Sequence, residues 1–336
     1  MAKFLRKIVK TNEFYLFLVI VAVSVVIQLR SGQFFTANNL VDLANAMVVP
    51  GIFAVGAFMV LVSGGIDVSF PALASLSVYA TTRLLVDGGY ERGIWLPFLL
   101  VIIVGAILGA FNGLFTSRFA VPVLIITLGT SSVFSGIMQG VFSSVQIPNL
   151  PPAMTEFGRA TLFVATNPKS GLTSNMPVSF LLLIVVVVAA FVLLRYTTFG
   201  RGLYAMGGDE SAAERAGFKV RHLKFWLFVI VGIIASLAGL VRTTMMDQMH
   251  PTNLLGMELM VIAAIVLGGA SVTGGTGTLT GAMLGTLLIV IVQNSMILGG
   301  IPTCWQGSSL GVLIIVGTGI SAFQVTRARK RARVMI

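Results

Sequence analysis

Long apolar runs separated by short basic segments dominate this chain of 336 residues. Hydrophobic residues make up 56% of it and charged residues only 10%, whereas soluble globular proteins carry about 25% charged residues. So few charges do not cover a water-exposed surface. The sequence therefore predicts an integral membrane protein whose exterior is solvated mainly by lipid, and it disfavours soluble enzymes and disordered chains.

The apolar runs predict an all-α, polytopic membrane protein with about ten transmembrane helices. A bilayer offers no water to the backbone, so the segments that cross it must be helical, and no strand-like alternation supports a β-barrel. Several runs are shorter than the ~20 residues of a full span, so we expect some helices to be broken or re-entrant. The predicted segments are 14–29, 47–62, 67–85, 95–116, 121–143, 178–195, 224–245, 257–272, 277–298 and 308–323.

The positive charges predict that both termini face the cytoplasm. With the first segment starting inside and the rest alternating, 16 of the 22 Lys and Arg residues fall in inside segments. The N-terminal run after Lys3–Lys10 has no Ala-x-Ala cleavage site, so it is predicted to be a retained helix and not a removed signal peptide. The whole of 1–336 is interpreted as one transmembrane domain.

Glycines are placed in two distinct patterns. Gly105, Gly109 and Gly113 are four residues apart, which favours close helix packing in lipid, and Gly277, Gly281 and Gly285 repeat the spacing. Paired glycines in 63–67 and 267–275 interrupt apolar runs in each half of the chain. The two interruptions hint at an internal five-plus-five repeat of the kind found in transporters.

The sequence contains no pattern typical of catalysis or of a cofactor site. No Lys follows a Gly, which excludes a P-loop, and the His-Glu-x-x-His pattern is missing from the sequence. Gly307–Gly311 has the Gly-x-Ser-x-Gly spacing, but it falls at the start of the predicted membrane segment 308–323 and so predicts no strand-to-helix nucleophile elbow. Cys304 is the single cysteine, and His222 and His250 lie far apart in sequence, so no metal site is predicted. We therefore expect a protein that is not an enzyme, holds no cofactor of its own and binds no nucleic acid.

A few polar residues within or beside the apolar runs are the candidates for a translocation path or gate. Asp67 follows a Gly-Gly pair at a predicted helix start, where capping or gating is favoured over direct contact with a solute. The amides and hydroxyls suit an uncharged polyhydroxy solute, although hydrogen bonding between helices explains them equally well. The candidates are Asn45, Asp67, Asn112, Thr127, Glu258 and Asn294.

Two long connections are predicted to carry function. Segment 144–177, rich in proline, is predicted outside and could cover the outer mouth or meet an external partner; an ordinary surface connection is the alternative. Segment 196–223 is predicted inside and contains a short helix that Asp209 or Ser211 can cap and Gly217 can end. So short an exposed helix needs a docking partner to be ordered.

At these residues the chain resembles the permease subunits of bacterial ATP-binding-cassette importers, in the ribose/galactose-type sugar branch. The similarity extends over about residues 30–325. It departs from the family pattern at Phe70-Pro71 and at Glu258-Leu259-Met260, which leaves the identity of the solute open. The stretches that carry it are Val60–Ser69, Val121–Thr130, Phe199–Gly217, Val266–Thr278 and Trp305–Gln306.

The resemblance implies a division of labour in the bacterial cytoplasmic (inner) membrane. Two permeases, identical or paralogous, would form the path, an ATPase subunit would bind ATP beneath each, and an external solute-binding protein would deliver a monosaccharide. A nucleoside, a furanone-type signal or a branched-chain amino acid are alternative solutes, and a stand-alone secondary carrier is an alternative mechanism. The implied ATPase-coupling residues within 196–223 are Gly208, Asp209, Glu210, Ala213 and Gly217.

Overall fold

The computed structural model describes residues 11–167, 171–298 and 300–312, together with Ile315 and Gly319. Twelve helices and one hairpin fill these ranges, followed by a short 3-10 turn at Thr303–Trp305 and a helical stretch over 306–312. The helices are α1 (Asn12–Ser31), α2 (Ala37–Val62), α3 (Phe70–Asp87), α4 (Trp95–Arg118), α5 (Val123–Gly140), α6 (Pro152–Arg159), α7 (Ser179–Tyr196), α8 (Thr198–Gly208), α9 (Glu210–Arg215), α10 (Val220–Met246), α11 (Met257–Leu267) and α12 (Leu279–Leu298). The hairpin pairs β1 (Thr161–Thr166) with β2 (Thr173–Pro177).

The membrane prediction agrees with the helix lengths. Within the described ranges, seven helices are long and apolar enough to cross a membrane, namely α1, α2, α4, α5, α7, α10 and α12. Helix α11 has only 11 residues because Gly268 and Gly269 end it before the predicted boundary at 272. The predicted segment 308–323 lies partly outside the described residues, as do the basic termini on which the predicted orientation depends.

Helix α2 forms the centre of the bundle, packed between α10, α12, α7 and α11. Its side chains from Met47 to Val62 are all buried, and Phe53 packs on Phe70 of α3 with ring centroids 4.9 Å apart. The helix begins ten residues before the predicted segment. Its first turns carry the polar residues Asn38, Asn39, Asp42 and Asn45. Because these residues interrupt the apolar run, the sequence pattern did not include the first turns in the predicted helix.

The glycine row of α4 makes a close helix contact, as its spacing predicts. Gly105 and Gly109 lie against Gly232 of α10, so closely that an added Cβ on any of the three would overlap backbone atoms of the other helix. Small residues on both helices therefore allow the two backbones to touch, which is how helices associate in lipid.

Segment 144–177 folds into more structure than a plain loop. It contains α6 and the antiparallel hairpin, in which Thr166 pairs with Thr173 and Thr161 with Pro177. Most β1 side chains are exposed, whereas Met176 of β2 packs with Val41 of α2 and Ala165 of β1. The segment is thereby held against the end of the bundle where α2 begins.

Candidate functional site

The segment 209–217 is a capped single helix, as predicted. The Asp209 carboxylate accepts a hydrogen bond from the amide of Ala212 at 2.8 Å, so Asp209 and not Ser211 caps α9. At the other end, Gly217 has a φ of +91°, a conformation that side chains other than glycine rarely adopt, and Phe218 N donates to Ala213 O at 3.1 Å. We refer to residues 209–217 as the coupling segment.

The coupling segment presents polar side chains to solvent and is attached by one buried residue. Asp209, Glu210, Glu214 and Arg215 are exposed, whereas Ala213 is buried at 3% exposure. Lys224 at the start of α10 also holds Glu210 in an ion pair of 2.6 Å. A six-residue helix of this kind gains little stability by itself, so its exposed face is available to a partner.

A second helix, α8, precedes the coupling segment and was not predicted. Its glycines give it a low intrinsic helix propensity, so only tertiary contacts explain why it forms. Thr197 caps it by accepting from Gly200 N at 3.1 Å. The structure therefore corrects the expected single helix to two, with Asp209 at the bend between them.

Three glycine-containing turns meet backbone to backbone at the end of α8. We call this contact, made by Gly64, Gly207, Gly208, Gly274 and Gly275, the glycine junction. Gly275 N donates to Val62 O at 2.9 Å, and an added Cβ at Gly207 would overlap that same carbonyl oxygen. The end of α8 is therefore in backbone contact with both of the other turns.

The glycine junction joins three features that the sequence places far apart. Gly64 belongs to the break between α2 and α3, and Gly274 and Gly275 belong to the break between α11 and α12. Gly207 and Gly208 lead directly into the coupling segment. The end of α8, which leads into the coupling segment, therefore contacts both Gly-Gly interruptions.

A buried polar cluster lies beside the first break. Asp67 accepts hydrogen bonds at 2.7 Å from both the amide and the hydroxyl of Ser69, and Asn112 Nδ2 of α4 donates to that hydroxyl at 2.8 Å. Thr127 of α5 donates to Ile66 O at 3.2 Å and accepts from Val68 N at 3.3 Å. We refer to Asp67, Ser69, Asn112 and Thr127 as the polar cluster; it ties the break to α4 and α5.

The structure divides the six predicted path residues into two groups. Asp67, Asn112 and Thr127 meet in the polar cluster. Ser69 completes the cluster, and the sequence pattern predicted no role for this serine. Asn45, Glu258 and Asn294 lie near the helix ends remote from the glycine junction and do not join it. Glu258 accepts from Gly256 N at 2.9 Å beside the start of α11, and the buried Asn45 Oδ1 has no partner among the described residues.

At that remote end, a clamp holds segment 144–177 to the bundle. Asp247, which ends α10, accepts from the Thr155 hydroxyl and from the Arg159 guanidinium, each at 2.7 Å. The Thr155 hydrogen bond, together with Arg159, holds the pKa of Asp247 below its ordinary value. Ile147 and Met249 add a pair of backbone hydrogen bonds beside it, so the segment is fastened to the chain just after α10.

An apolar cavity of about 570 Å³ opens between α1, α2, α7 and α12. Its walls are aliphatic and aromatic side chains such as Phe34, Phe180 and Leu287, and only Ser24 and Thr280 contribute hydroxyls. A polyhydroxy solute would lose its hydrogen bonds to water there without replacement. This cavity is therefore a poor candidate for the solute path.

Over most of its length, the chain is similar to a known protein family. Residues 39–317 match the family model described as "Branched-chain amino acid transport system / permease component". That range begins within α2 and extends past α12, so it contains the coupling segment, the glycine junction and the polar cluster. No solved structure matches the chain.

Curated relatives extend over nearly the whole chain. A ribose import permease protein of Haemophilus influenzae is 28% identical over 312 residues, covering 93% of this chain and 92% of the relative. The ribose import permease protein of Escherichia coli K12 is 31% identical over 292 residues, covering 87% and 88%. An autoinducer 2 import system permease protein of Yersinia enterocolitica is 30% identical over 264 residues, covering 79% and 69%.

Proposed function

Because this chain belongs to the family of branched-chain amino acid transport system permease components, we propose that it is the membrane-spanning subunit of an ATP-driven importer. It would carry a small neutral solute inward, with a monosaccharide as the leading candidate. The observation that supports this proposal best is the glycine junction, which connects the exposed coupling segment to the breaks in both halves of the bundle.

The proposal requires an ATPase partner, because the chain has no P-loop of its own. We infer that the exposed face of the coupling segment, with Asp209, Glu210 and Gly217, docks on that subunit. Ala213 and the ion pair of Glu210 with Lys224 anchor the segment to the bundle, so a displacement would be passed on and not absorbed. An external solute-binding protein and a second permease would complete the importer.

The glycine junction supplies a route from ATP to the path. Movement of α8 would press the Gly207 backbone on Val62 and on Gly275, and the polar cluster would carry the displacement of the first break to α4 and α5. ATP binding changes the state of the path only if it favours one arrangement over the other. Ser69 occupies the N-cap position of α3, and Asp67 would act in this scheme as a latch through its hydrogen bonds to Ser69, without contacting the solute.

A monosaccharide is favoured by the ribose import permeases, which cover most of this chain. The autoinducer 2 import permeases favour a furanone-type signal as the second candidate. The test is uptake by the complete importer in vesicles, supplied in turn with ribose, other monosaccharides, a furanone-type signal, a nucleoside and leucine. Saturable, ATP-dependent uptake of a sugar is expected, and uptake of leucine alone would contradict the sugar assignment.

Substituting Gly217 by leucine tests the coupling segment. Leucine at a φ of +91° is strained, so the end of α9 should shift. We expect the rate of uptake to fall well below that of the unsubstituted protein, while ATP hydrolysis by the complex continues, because the coupling segment no longer transmits the state of the ATPase. Membrane insertion should be unchanged because the substitution lies outside the spans.

Gly89→Leu is the matched control. Gly89 also has a positive φ, of +60°, with open space around it, but it lies in the loop between α3 and α4, away from the coupling segment. Its uptake should match that of the unsubstituted protein. If Gly217→Leu transports as well as Gly89→Leu does, the docking assignment is wrong.

A stand-alone secondary carrier is distinguished by vesicles that hold this chain without an ATPase subunit. An imposed proton or sodium gradient should drive no solute uptake into them.

A further inference from the structure

A cavity of about 610 Å³ lies between the end of α7, the start of α8 and the start of α12. It is at the same end of the molecule as the glycine junction, because Tyr204 on its wall donates a hydrogen bond to Gly277 O at 3.1 Å. The proposed function makes no use of it. Its walls differ in chemistry, which indicates a ligand with two different parts.

One wall carries two arginines. Arg195 in the last turn of α7 and Arg201 in α8 are both exposed, and neither forms an ion pair with any residue that the structure describes. Glu13 lies near Thr278 on the cavity wall and accepts a hydrogen bond from the Thr278 hydroxyl at 2.7 Å, but it forms no ion pair with either arginine. Two positive charges face the cavity without an internal counter-ion.

The other wall is apolar and reaches the surface of the bundle at Phe191, which is 45% exposed. It is formed by Phe191 and Leu194 of α7 and Leu279 of α12. Tyr196, one turn beyond Phe191, is 69% exposed and packs edge-on against it with ring centroids 6.1 Å apart. Tyrosines are enriched at the boundary between hydrocarbon and headgroups, which supports a position of the cavity near that boundary.

We propose that this cavity binds an anionic phospholipid of the leaflet on the coupling-segment side. The phosphate would lie between Arg195 and Arg201, since arginine matches phosphate geometry, and the start of an acyl chain would lie on Phe191, Leu194 and Leu279. A soluble phosphate has no use for the apolar wall, and an acidic protein surface does not reach into the bilayer. The inference needs only a membrane-spanning chain, so it is independent of the solute.

The test is native mass spectrometry of the purified full chain after exchange into a neutral detergent. Palmitoyl-oleoyl phosphatidylglycerol, palmitoyl-oleoyl phosphatidylcholine and inorganic phosphate are added in separate titrations. We expect retained phosphatidylglycerol adducts and much weaker retention of the other two. The Arg195→Gln, Arg201→Gln double variant should lose phosphatidylglycerol affinity by about fivefold for each arginine.

Two further variants separate lipid binding at Arg195 and Arg201 from a general effect of removing an arginine and from a folding defect. Arg118→Gln removes an exposed arginine from the last turn of another span, α4, and should leave adduct retention unchanged. Arg195→Lys, Arg201→Lys keeps the charge and should retain more lipid than the glutamine pair, which a folding defect would not predict.

Three results would overturn the proposal. Equal retention of phosphatidylglycerol by the unsubstituted protein and the glutamine pair would show that the arginines hold no lipid. Equal retention of inorganic phosphate would show an anion site without lipid character. Loss of ATPase-subunit co-purification in the glutamine pair, with lipid retention intact, would assign the cavity to the protein partner.

Discussion

Individual hydroxyl groups have unequal importance in the buried part of this bundle. Ser69 is fully buried and connects Asp67 to Asn112, whereas Ser75, two turns further along the chain, is equally buried and its hydroxyl has no partner among the described residues. A buried polar group contributes to stability only when it is hydrogen-bonded, so the two serines should respond oppositely to removal of their hydroxyls.

Replacement of each serine by alanine tests this difference. Ser69→Ala leaves the Asn112 amide without its acceptor and should destabilise the protein by about 1–3 kcal/mol. Ser75→Ala removes a buried, unpartnered hydroxyl and should be neutral or slightly stabilising. Thermal unfolding of the purified chain in detergent measures both, and equal destabilisation by the two variants would refute a structural role for the polar cluster.

At the scale of elements, the packing is governed by how closely backbones approach. Helices α4 and α10 touch through glycines, and α8 touches two helix breaks in the same way. Lipid provides no hydrophobic driving force for association of apolar helices, so close van der Waals contact has to supply it. Glycine therefore marks the contacts on which the arrangement of the helices depends.

Gly207→Ala and Gly136→Ala should have effects of opposite sign. An added Cβ at Gly207 overlaps a backbone oxygen that is itself hydrogen-bonded, so we expect destabilisation of about 1–3 kcal/mol and loss of uptake. Gly136 is an exposed helical position in α5 with open space around it, where alanine should stabilise by up to about 1 kcal/mol. The measurements are unfolding midpoints and uptake, and normal uptake by Gly207→Ala would exclude the glycine junction from the transport cycle.

The clamp at the other end should weaken in acid. The pKa of Asp247 is lowered in the folded protein, so its stabilising effect is complete above the unfolded value of about 3.9 and is lost as pH falls through the folded-state pKa. Hydrogen exchange in 144–167, corrected for the intrinsic rate, should therefore increase below about pH 4. The effect should be modest because Asp247 and Arg159 are partly exposed, and it should vanish in Asp247→Asn.

At the scale of the whole molecule, the two ends of the bundle have different tasks. One end carries the coupling segment, the glycine junction and the polar cluster, and the other carries the hairpin and the Asp247 clamp. The distribution of Lys and Arg predicts that the first end faces the cytoplasm. An importer needs this polarity, because ATP is available on one side and the delivered solute on the other.

Cysteine labelling tests the polarity directly. In a background with Cys304→Ser, which removes an exposed thiol, Leu162→Cys in the hairpin should react with a membrane-impermeant maleimide on intact cells. Ser211→Cys in the coupling segment should react only after the membrane is permeabilised. Labelling of both positions from the same side would contradict the predicted orientation.

Local patterns were sufficient to place most helices and the cap of the coupling segment. Nine predicted apolar segments overlap α1–α5, α7 and α10–α12, and Asp209 and Gly217 begin and end the coupling helix as predicted. The hairpin was not predicted, because most side chains of β1 are exposed and the strand shows no alternation of buried and exposed residues. Helix α8 was not predicted because its glycines favour a loop. It is helical because contacts with other segments of the chain hold those glycines in place.

The sequence alone determined that this chain crosses lipid as helices, since a bilayer leaves the backbone only helices or closed barrels to satisfy its hydrogen bonds and the apolar runs show no strand-like alternation. It also determined where small residues allow close packing. Only the tertiary structure decided that Gly207 meets Gly64 and Gly274, and that Asp67 meets Asn112 and Thr127 through Ser69. Contacts between segments far apart in the chain depend on how all the helices fill space together, and no local pattern records that choice.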